Sequence, residues 1–312
     1  MVPLHVSPDG DSVGSALAVA SACVQLNVQA EVVSSDPPPE ELKFLKGWGG
    51  IIQPEDSYGS YDLVLLLDCS SPSRVGRTSD LILTEPRPQV ATVDHHRSGQ
   101  RFGDYLWVEP EAAATAEMLF DWIKNTDIQF NEDIAMALYT GIATDTGFFA
   151  YPNTTAETFE RAADLVSAGA EPSVVYSKIH EERPASEMKL LGRALNRMQI
   201  QDRGRLAWTE IREEDFEICN GTSEGAEGIV NYLRSISGVV VAVVFKETIA
   251  GQVKISLRSS EEVDVSELAA SLGGGGHARA AGTTLEGSLS SVRRKVLDEI
   301  EFSDKPHKEE SP

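Results

Sequence analysis

Asp62-Leu-Val-Leu-Leu-Leu-Asp68 is a run of five apolar residues closed at either end by an acid. A strand with one wet face alternates apolar and polar residues. A continuous run is what a strand buried on both faces of a parallel sheet requires. Asp68 stands where that strand ends. Gln89–Val93 repeats the pattern and leads into Asp94-His95-His96-Arg97. Upstream, Leu4–Val6 reads as the end of a short strand. Ser12–Leu26 reads as a helix, because Val13, Leu17, Ala20 and Val24 recur at helical spacing. Ala30–Val33 is a second strand, Pro37-Pro38-Pro39 a break, and Glu40–Lys46 a short helix. Ala112–Lys124 and Glu132–Thr144 are helical in pattern. Strands alternating with helices predict βαβ units on a parallel sheet.

The pattern continues in helices over Ala156–Ala168, Pro172–Ile179 and Pro184–Met198, then changes. Arg205–Thr209 reads as a strand and Gly225–Ser235 as a helix. Val239–Lys246 and Gln252–Leu257 form a hairpin around Thr248–Gly251, and Val265–Leu272 and Ser288–Ile300 are helices. The expected architecture is α/β: a parallel-sheet domain over 1–180, a helical linker over 181–199, a smaller α+β domain over 200–302, and a disordered tail over 303–312. No internal repeat is present.

Composition narrows the function. With 27 basic and 49 acidic residues, the formal charge is −22. Proteins that hold long nucleic acid neutralise many phosphates with a basic stripe, and no such stripe occurs here. The expected ligand is therefore small enough for a few local cations or metals to hold. The absence of an apolar stretch of membrane-spanning length argues against a membrane partner. MVPLHVSPDGD lacks the basic and apolar regions of a secretion signal. Cys23, Cys69 and Cys219 lack metal-ligand spacing and fit a reduced, cytoplasmic protein.

Four acidic motifs lie at element ends. His5-Val-Ser-Pro-Asp9-Gly-Asp11 follows a strand and opens a helix, the place where open α/β sheets bind ligands. Read alone, it is a turn with an N-capping Asp. Asp68 ends one buried strand, and Asp94, His95 and His96 leave another. Asp145, in Thr140-Gly-Ile-Ala-Thr-Asp145-Thr-Gly, is an acid in apolar, glycine-rich surroundings that is costly to bury unpaired. Each has a local structural explanation. Together those explanations require four independent element ends to gather acids, whereas one metal cluster accounts for all four. Carboxylates and imidazoles without thiolates suit Mn²⁺ or Mg²⁺ rather than structural zinc. Farther on, Gly273–Gly276, His277 and Arg279 follow Arg258. A glycine run alone is a flexible loop. Beside cations it also lets backbone N–H groups approach an anion.

HVSPDGD, LLLDCS, VDHHRS and TGIATDTGFF resemble, in order and spacing, the four motifs of the DHH phosphoesterases. AYPNTTAETFERAADLVSAGA resembles the branch that comprises nano-RNases and 3′-phosphoadenosine-5′-phosphate (pAp) phosphatases. Ser271-Leu-Gly-Gly-Gly-Gly-His277-Ala-Arg-Ala-Ala-Gly282 resembles the glycine motif of the family's associated C-terminal domain. The resemblance covers nearly the whole chain except the tail, and the motifs are specific in combination. It implies a two-metal centre using Mn²⁺, with Mg²⁺ as the substitute. His5 and Asp9 would hold one ion, Asp11, His95 and Asp145 the other, and Asp68 both. Asp94 would orient a neighbouring imidazole and His96 would face the scissile phosphate. Arg258, Gly274, Gly275, Gly276 and His277 would grip the substrate. The implied reaction turns short RNA or pAp into 5′-mononucleotides, in a protein whose relatives often form homodimers through the first domain. Here His5 comes almost at once, where the family usually has a helix and a full first strand before it, which leaves open a truncated start.

The same chemistry would serve a phosphodiesterase of cyclic or linear dinucleotides. A nuclease for long single strands fits the charge poorly, and a related inorganic pyrophosphatase fits the glycine motif poorly. A non-catalytic nucleotide-binding regulator would not need the intact ligand set. A nicotinamide dehydrogenase lacks its glycine fingerprint after the first strand.

Overall fold

The structure, a computed structural model, describes residues 1–57, 59–69, 71–96, 101–248, 251–260 and 263–300, without the side chains of Glu224 and His277. The 303–312 tail, Arg97 and the side chain of His277 thus lie outside the described residues. The chain divides into two compact units between Glu182 and Arg183.

In the first unit, strand β1 (Val2–Pro3) pairs in parallel with β2 (Val32–Val33) after the intervening helix α1 (Gly10–Gln25). The first strand thus ends before Leu4, although Leu4 N–H still donates to Val33 O at 2.9 Å. The helix expected over Glu40–Lys46 is one 3₁₀ turn, Glu40–Leu42. Strand β3 (Leu63–Leu67), helix α2 (Ser79–Leu83), strand β4 (Gln89–Asp94) and strand β5 (Tyr105–Val108) follow. Strands β3, β4 and β5 pair in parallel, and Leu65 N–H donates to Met1 O at 2.9 Å, which sets β1 beside β3. Helices α3 (Thr115–Lys124), α4 (Glu132–Asp145), α5 (Ala156–Ser167) and α6 (Pro172–Tyr176) complete the unit.

The apolar run of β3 behaves as its sequence requires. Leu65 and Leu67 join the core built on α1, α3 and α4, whereas Val64 and Leu66 join a second core with Val75, Ile82 and Val90. Successive side chains of a strand point to opposite faces, so the strand is buried twice. Helices α1 and α4 cross at small residues. A Cβ on Gly14 would sit 2.3 Å from Ala137 O, and one on Gly141 would sit 2.7 Å from both the Ala116 methyl and Asp11 Oδ1. This close approach brings the first turn of α1 to the last turn of α4.

The second unit contains helix α7 (Ala185–Asn196), strands β6 (Gln199–Gln201) and β7 (Leu206–Ile211), and helices α8 (Glu213–Cys219) and α9 (Ile229–Arg234). Strands β8 (Val241–Glu247) and β9 (Gln252–Ser259) and helix α10 (Val265–Ser271) come next. Strands β10 (Gly275–His277) and β11 (Ala280–Glu286) and helix α11 (Leu289–Asp298) end it. One mixed sheet runs in the order β10-β11-β9-β8-β7-β6. Val243, Phe245, Ile255 and Leu257 bury one face with α10 and α11, and Ala207, Ile211 and Val244 bury the other. The helix α7 falls in the stretch expected to link the domains. Its Leu190, Leu191 and Ala194 instead belong to this second core, because an amphipathic helix must bury its apolar face.

Candidate metal centre

The sheet geometry carries the acids to one end. After β1 the chain reaches His5, which is 4% exposed and offers Nδ1–H to Val6 O at 2.9 Å. Asp9 caps α1, accepting Ser12 N–H at 3.0 Å, so the cap expected from the Pro-Asp-Gly sequence is present. Its carboxylate lies 3.6 Å from His5 Nε2. Asp68 follows β3 with φ +58°, an uncommon left-handed conformation for a residue with a side chain, and Asp is one of the types that tolerate it. Its two oxygens face different imidazoles: Oδ2 lies 3.5 Å from His5 Nε2, and Oδ1 lies 3.4 Å from His95 Nε2. His95 leaves β4, offers Nδ1–H to Ala112 O at 3.2 Å, and lies 3.1 Å from Asp145 Oδ2 at the end of α4. Asp11, fully buried in the first turn of α1, accepts Ser15 Oγ–H at 3.2 Å.

These residues form two groups whose donor atoms lie within 4.8 Å of one another, His5–Asp9–Asp68 and Asp11–His95–Asp145. Asp68, His95 and His96 form a third on the same criterion. Asp94, 1% exposed, pairs with His96, its Oδ1 lying 2.8 Å from His96 Nδ1. The neighbouring imidazole that Asp94 meets is therefore His96.

The electrostatics of the bare cluster call for cations. Burial opposes charge on His5, yet its bonds to Asp68 and Asp9 lift the imidazole to about 10. Burial opposes charge on His95 too, and Asp145 and Asp68 lift it to about 11. Burial pushes Asp11 well up, and the charges of Asp68 and Asp145 add to the rise. Asp145 is likewise pushed up by burial, against the pull of His95. Burial works against Asp68 as well, but His5 and His95 hold it far below the usual carboxylate range. Protonated imidazoles here neutralise carboxylates packed too close to coexist. Divalent ions would do the same, and the donor set fits them. His5 and His95 each commit Nδ1 to a backbone carbonyl and turn Nε2 toward the carboxylates, the usual arrangement of a metal-ligating histidine.

The DHH family's N-terminal domain matches residues 1–142, and the DHHA1 domain matches residues 216–301. The chain is 33% identical over 300 residues to the bifunctional oligoribonuclease and PAP phosphatase NrnA of Thermus thermophilus, spanning 96% of this chain and 88% of that protein. The chain belongs to the DHH family. The NrnA of Bacillus subtilis is 27% identical, over 90% of this chain and 87% of its own length. An exopolyphosphatase-related protein from Bacteroides fragilis has the same fold, with a TM-score of 0.88 and 27% identity over 95% of this chain and 91% of that one. Membership of the DHH phosphoesterases implies a divalent metal. Among the described residues no helix is long and apolar enough to cross a membrane.

In the DHHA1 region, the glycine run departs from the loop it suggests when read alone. Gly275–His277 is a strand paired with Ala280–Gly282, not a free loop. A Cβ on Gly274 would sit 2.2 Å from Gly282 O, and one on Gly276 would sit 2.5 Å from Ala280 O, so packing alone demands both glycines. Gly275 has open space in front of it. Arg258, Ser256 and Lys254 line a cavity of about 420 Å³ in this unit, together with Gly282 and Thr284. Lys254 is paired with Glu227 at 3.2 Å. Arg258 is half-buried, donates to Leu257 O at 3.0 Å, and makes no direct ion pair among the described residues, with Glu227 acting on it from farther off. Burial lowers its pKa, and Arg234 lowers it further.

The sequence reading missed the stretch just before α3. Its contacts to the centre come largely from backbone groups of Ala112, Thr115 and Ala116, which carry no residue signature.

Proposed function

We propose that this DHH phosphoesterase hydrolyses short oligoribonucleotides and pAp to 5′-mononucleotides with two Mn²⁺ ions, Mg²⁺ being the substitute. The observation that supports this best is the pair of donor groups meeting at Asp68, one oxygen toward each. His5 and Asp9 would hold one ion, Asp11, His95 and Asp145 the other, and Asp68 both. Bound divalent ions polarise a phosphoryl oxygen and make a bound water a nucleophile at neutral pH. His96 is the most exposed imidazole of the cluster, at 38%. The Asp94 carboxylate holds its Nδ1 and raises its pKa, which favours the imidazolium form whose Nε2–H would face a phosphoryl oxygen of the substrate. In the second unit Arg258, a desolvated cation without a direct ion pair among the described residues, would take the phosphate of the non-reacting nucleotide. Gly274, Gly275, Gly276 and His277 would form the neighbouring wall.

The test is a panel of pAp, RNA of two to five nucleotides, cyclic and linear dinucleotides and pyrophosphate, each with Mn²⁺ and with Mg²⁺. Short RNA and pAp should give the highest kcat/KM. A preference for a cyclic dinucleotide, or activity confined to pyrophosphate, would refute the proposal.

A further inference from the structure

Four motifs supply the candidate ligands, and all four are tied to a fifth segment that none of them contains. Residues 112–116 lead into α3. Ala112 O accepts Nδ1–H of His95 at 3.2 Å. Ala113 O accepts Nδ2–H of Asn153 at 3.0 Å, and the same Nδ2 reaches the backbone oxygen of Asp145 at 3.2 Å. Thr115 N–H donates to Asp11 Oδ2 at 2.7 Å and Ala116 N–H to Asp11 Oδ1 at 2.9 Å. The Thr115 hydroxyl donates to Asp68 Oδ1 at 3.3 Å. Ala114, Thr115 and Ala116 are all fully buried.

The segment is itself anchored from behind. Ala113 N–H donates to Glu117 Oε2 at 2.8 Å, and Glu117 is 5% exposed. The other oxygen of Glu117 lies 3.5 Å from Arg161, which also forks onto Asp121 at 3.1 and 2.6 Å. Thus a buried, clamped turn fixes both oxygens of Asp11 and one oxygen of the carboxylate shared by the two donor groups.

We propose that residues 112–117 position the metal centre and that Thr115 is the positioning residue coupling its two halves. This rests on reading the two donor groups as metal sites. Thr115 touches both halves at once, Asp11 through its amide and Asp68 through its hydroxyl. Moving it would displace a ligand of each group together. Removing only the hydroxyl frees the Asp68 carboxylate to rotate away from the orientation in which its oxygens face His5 and His95.

Thr115→Val keeps the size and the amide but removes the hydroxyl, and Thr115→Ser keeps the hydroxyl. Metal-free full-length protein would be titrated with Mn²⁺ by calorimetry, and bound metal counted after desalting. The parent should bind two ions. Thr115→Val should bind the weaker of the two about ten-fold less tightly, a loss typical of partners that hold metal ligands in place. Thr115→Ser should restore the parent affinity, and the metal-free melting temperature should be the same in all three. If Thr115→Val does not fold, Asn153→Ala tests the same segment at an exposed position and should weaken Mn²⁺ binding in the same direction. Unchanged Mn²⁺ affinity in folded Thr115→Val, or in Asn153→Ala if the first does not fold, would overturn the proposal, as would a lowered metal-free melting temperature with unchanged affinity. A parent that binds no Mn²⁺ would overturn the metal-centre reading itself, and this inference with it.

Discussion

The charge state of two histidines makes metal uptake a proton exchange. With His5 lifted to about 10 and His95 to about 11, both are protonated at neutral pH in the metal-free protein. An ion can bind their Nε2 only after the proton leaves. Saturation with Mn²⁺ at pH 7.5 should therefore release at least two protons, because Asp11, which burial pushes well up, can give up another. Calorimetry in two buffers of different ionisation enthalpy counts them, and zero release would mean that these imidazoles are not ligands. Asp68→Asn keeps the shape of the shared residue but removes its charge. It should abolish hydrolysis and lower the bound metal count, as measured on the desalted protein. Full activity with two ions still bound would dismiss Asp68 as the shared ligand. At Arg258→Ala, loss of a charge-assisted contact worth about 1.5–3 kcal/mol should weaken binding of short RNA by about one to two powers of ten. Hydrolysis of bis-p-nitrophenyl phosphate, which has no distal phosphate, should barely change. An equal drop on both substrates would place Arg258 in the fold or the metal centre instead.

At the scale of elements, the crossing of α1 and α4 makes the centre possible. Gly14→Ala would push a methyl into the Ala137 carbonyl, and Gly141→Ala would push one against Asp11 and Ala116. Overpacking of this kind costs about 1–3 kcal/mol. Both should lower the melting temperature, but only Gly141→Ala displaces a candidate ligand. It should lose more Mn²⁺ affinity than Gly14→Ala, and equal losses would show that the crossing acts through stability alone. In the second unit, Asp215 joins α8 to α7. It is 1% exposed and accepts from Arg193 at 2.5 Å and from Arg197 at 2.9 Å. Burial resists its charge, but Arg197, the Arg212 amide and Arg193 overcome that and hold it at about 2, below the ordinary 3.8. A carboxyl depressed on folding stabilises fully above its ordinary value and loses that contribution as pH falls through about 2. Asp215→Asn should cost about 2–3 kcal/mol at pH 7, less than for a fully dry pair because both arginines stay partly hydrated. Its deficit against the parent should shrink as pH drops from 4 toward 2 in denaturant titrations. A deficit that does not change with pH would assign the loss to packing.

For the whole molecule, a formal charge of −22 disfavours an extended track for phosphates. Activity per molecule should therefore fall as RNA lengthens beyond a few nucleotides. The dependence of KM on salt should be shallow, because few counterions are released on binding. Processive digestion of a long single strand at the rate seen with dinucleotides would contradict both expectations.

The sequence by itself determined the parallel sheet and the candidate ligands. A strand buried twice must be apolar throughout, as Leu63–Leu67 is, and acids at the ends of such strands stand out against it. Strand β5 was not visible, since Tyr105-Leu-Trp-Val is short and its place at a sheet edge depends on β4. Nor was β10, because its glycines are dictated by contact with Gly282 and Ala280, which lie beyond a turn. Only the tertiary structure decided which carboxylate each imidazole meets, that α7 joins the second core, and that residues 112–116 bond the candidate ligands. Those decisions rest on backbone N–H and C=O groups and on the close crossing of α1 with α4. Every residue except proline has the same backbone groups, so only the fold determines which of them meet the site.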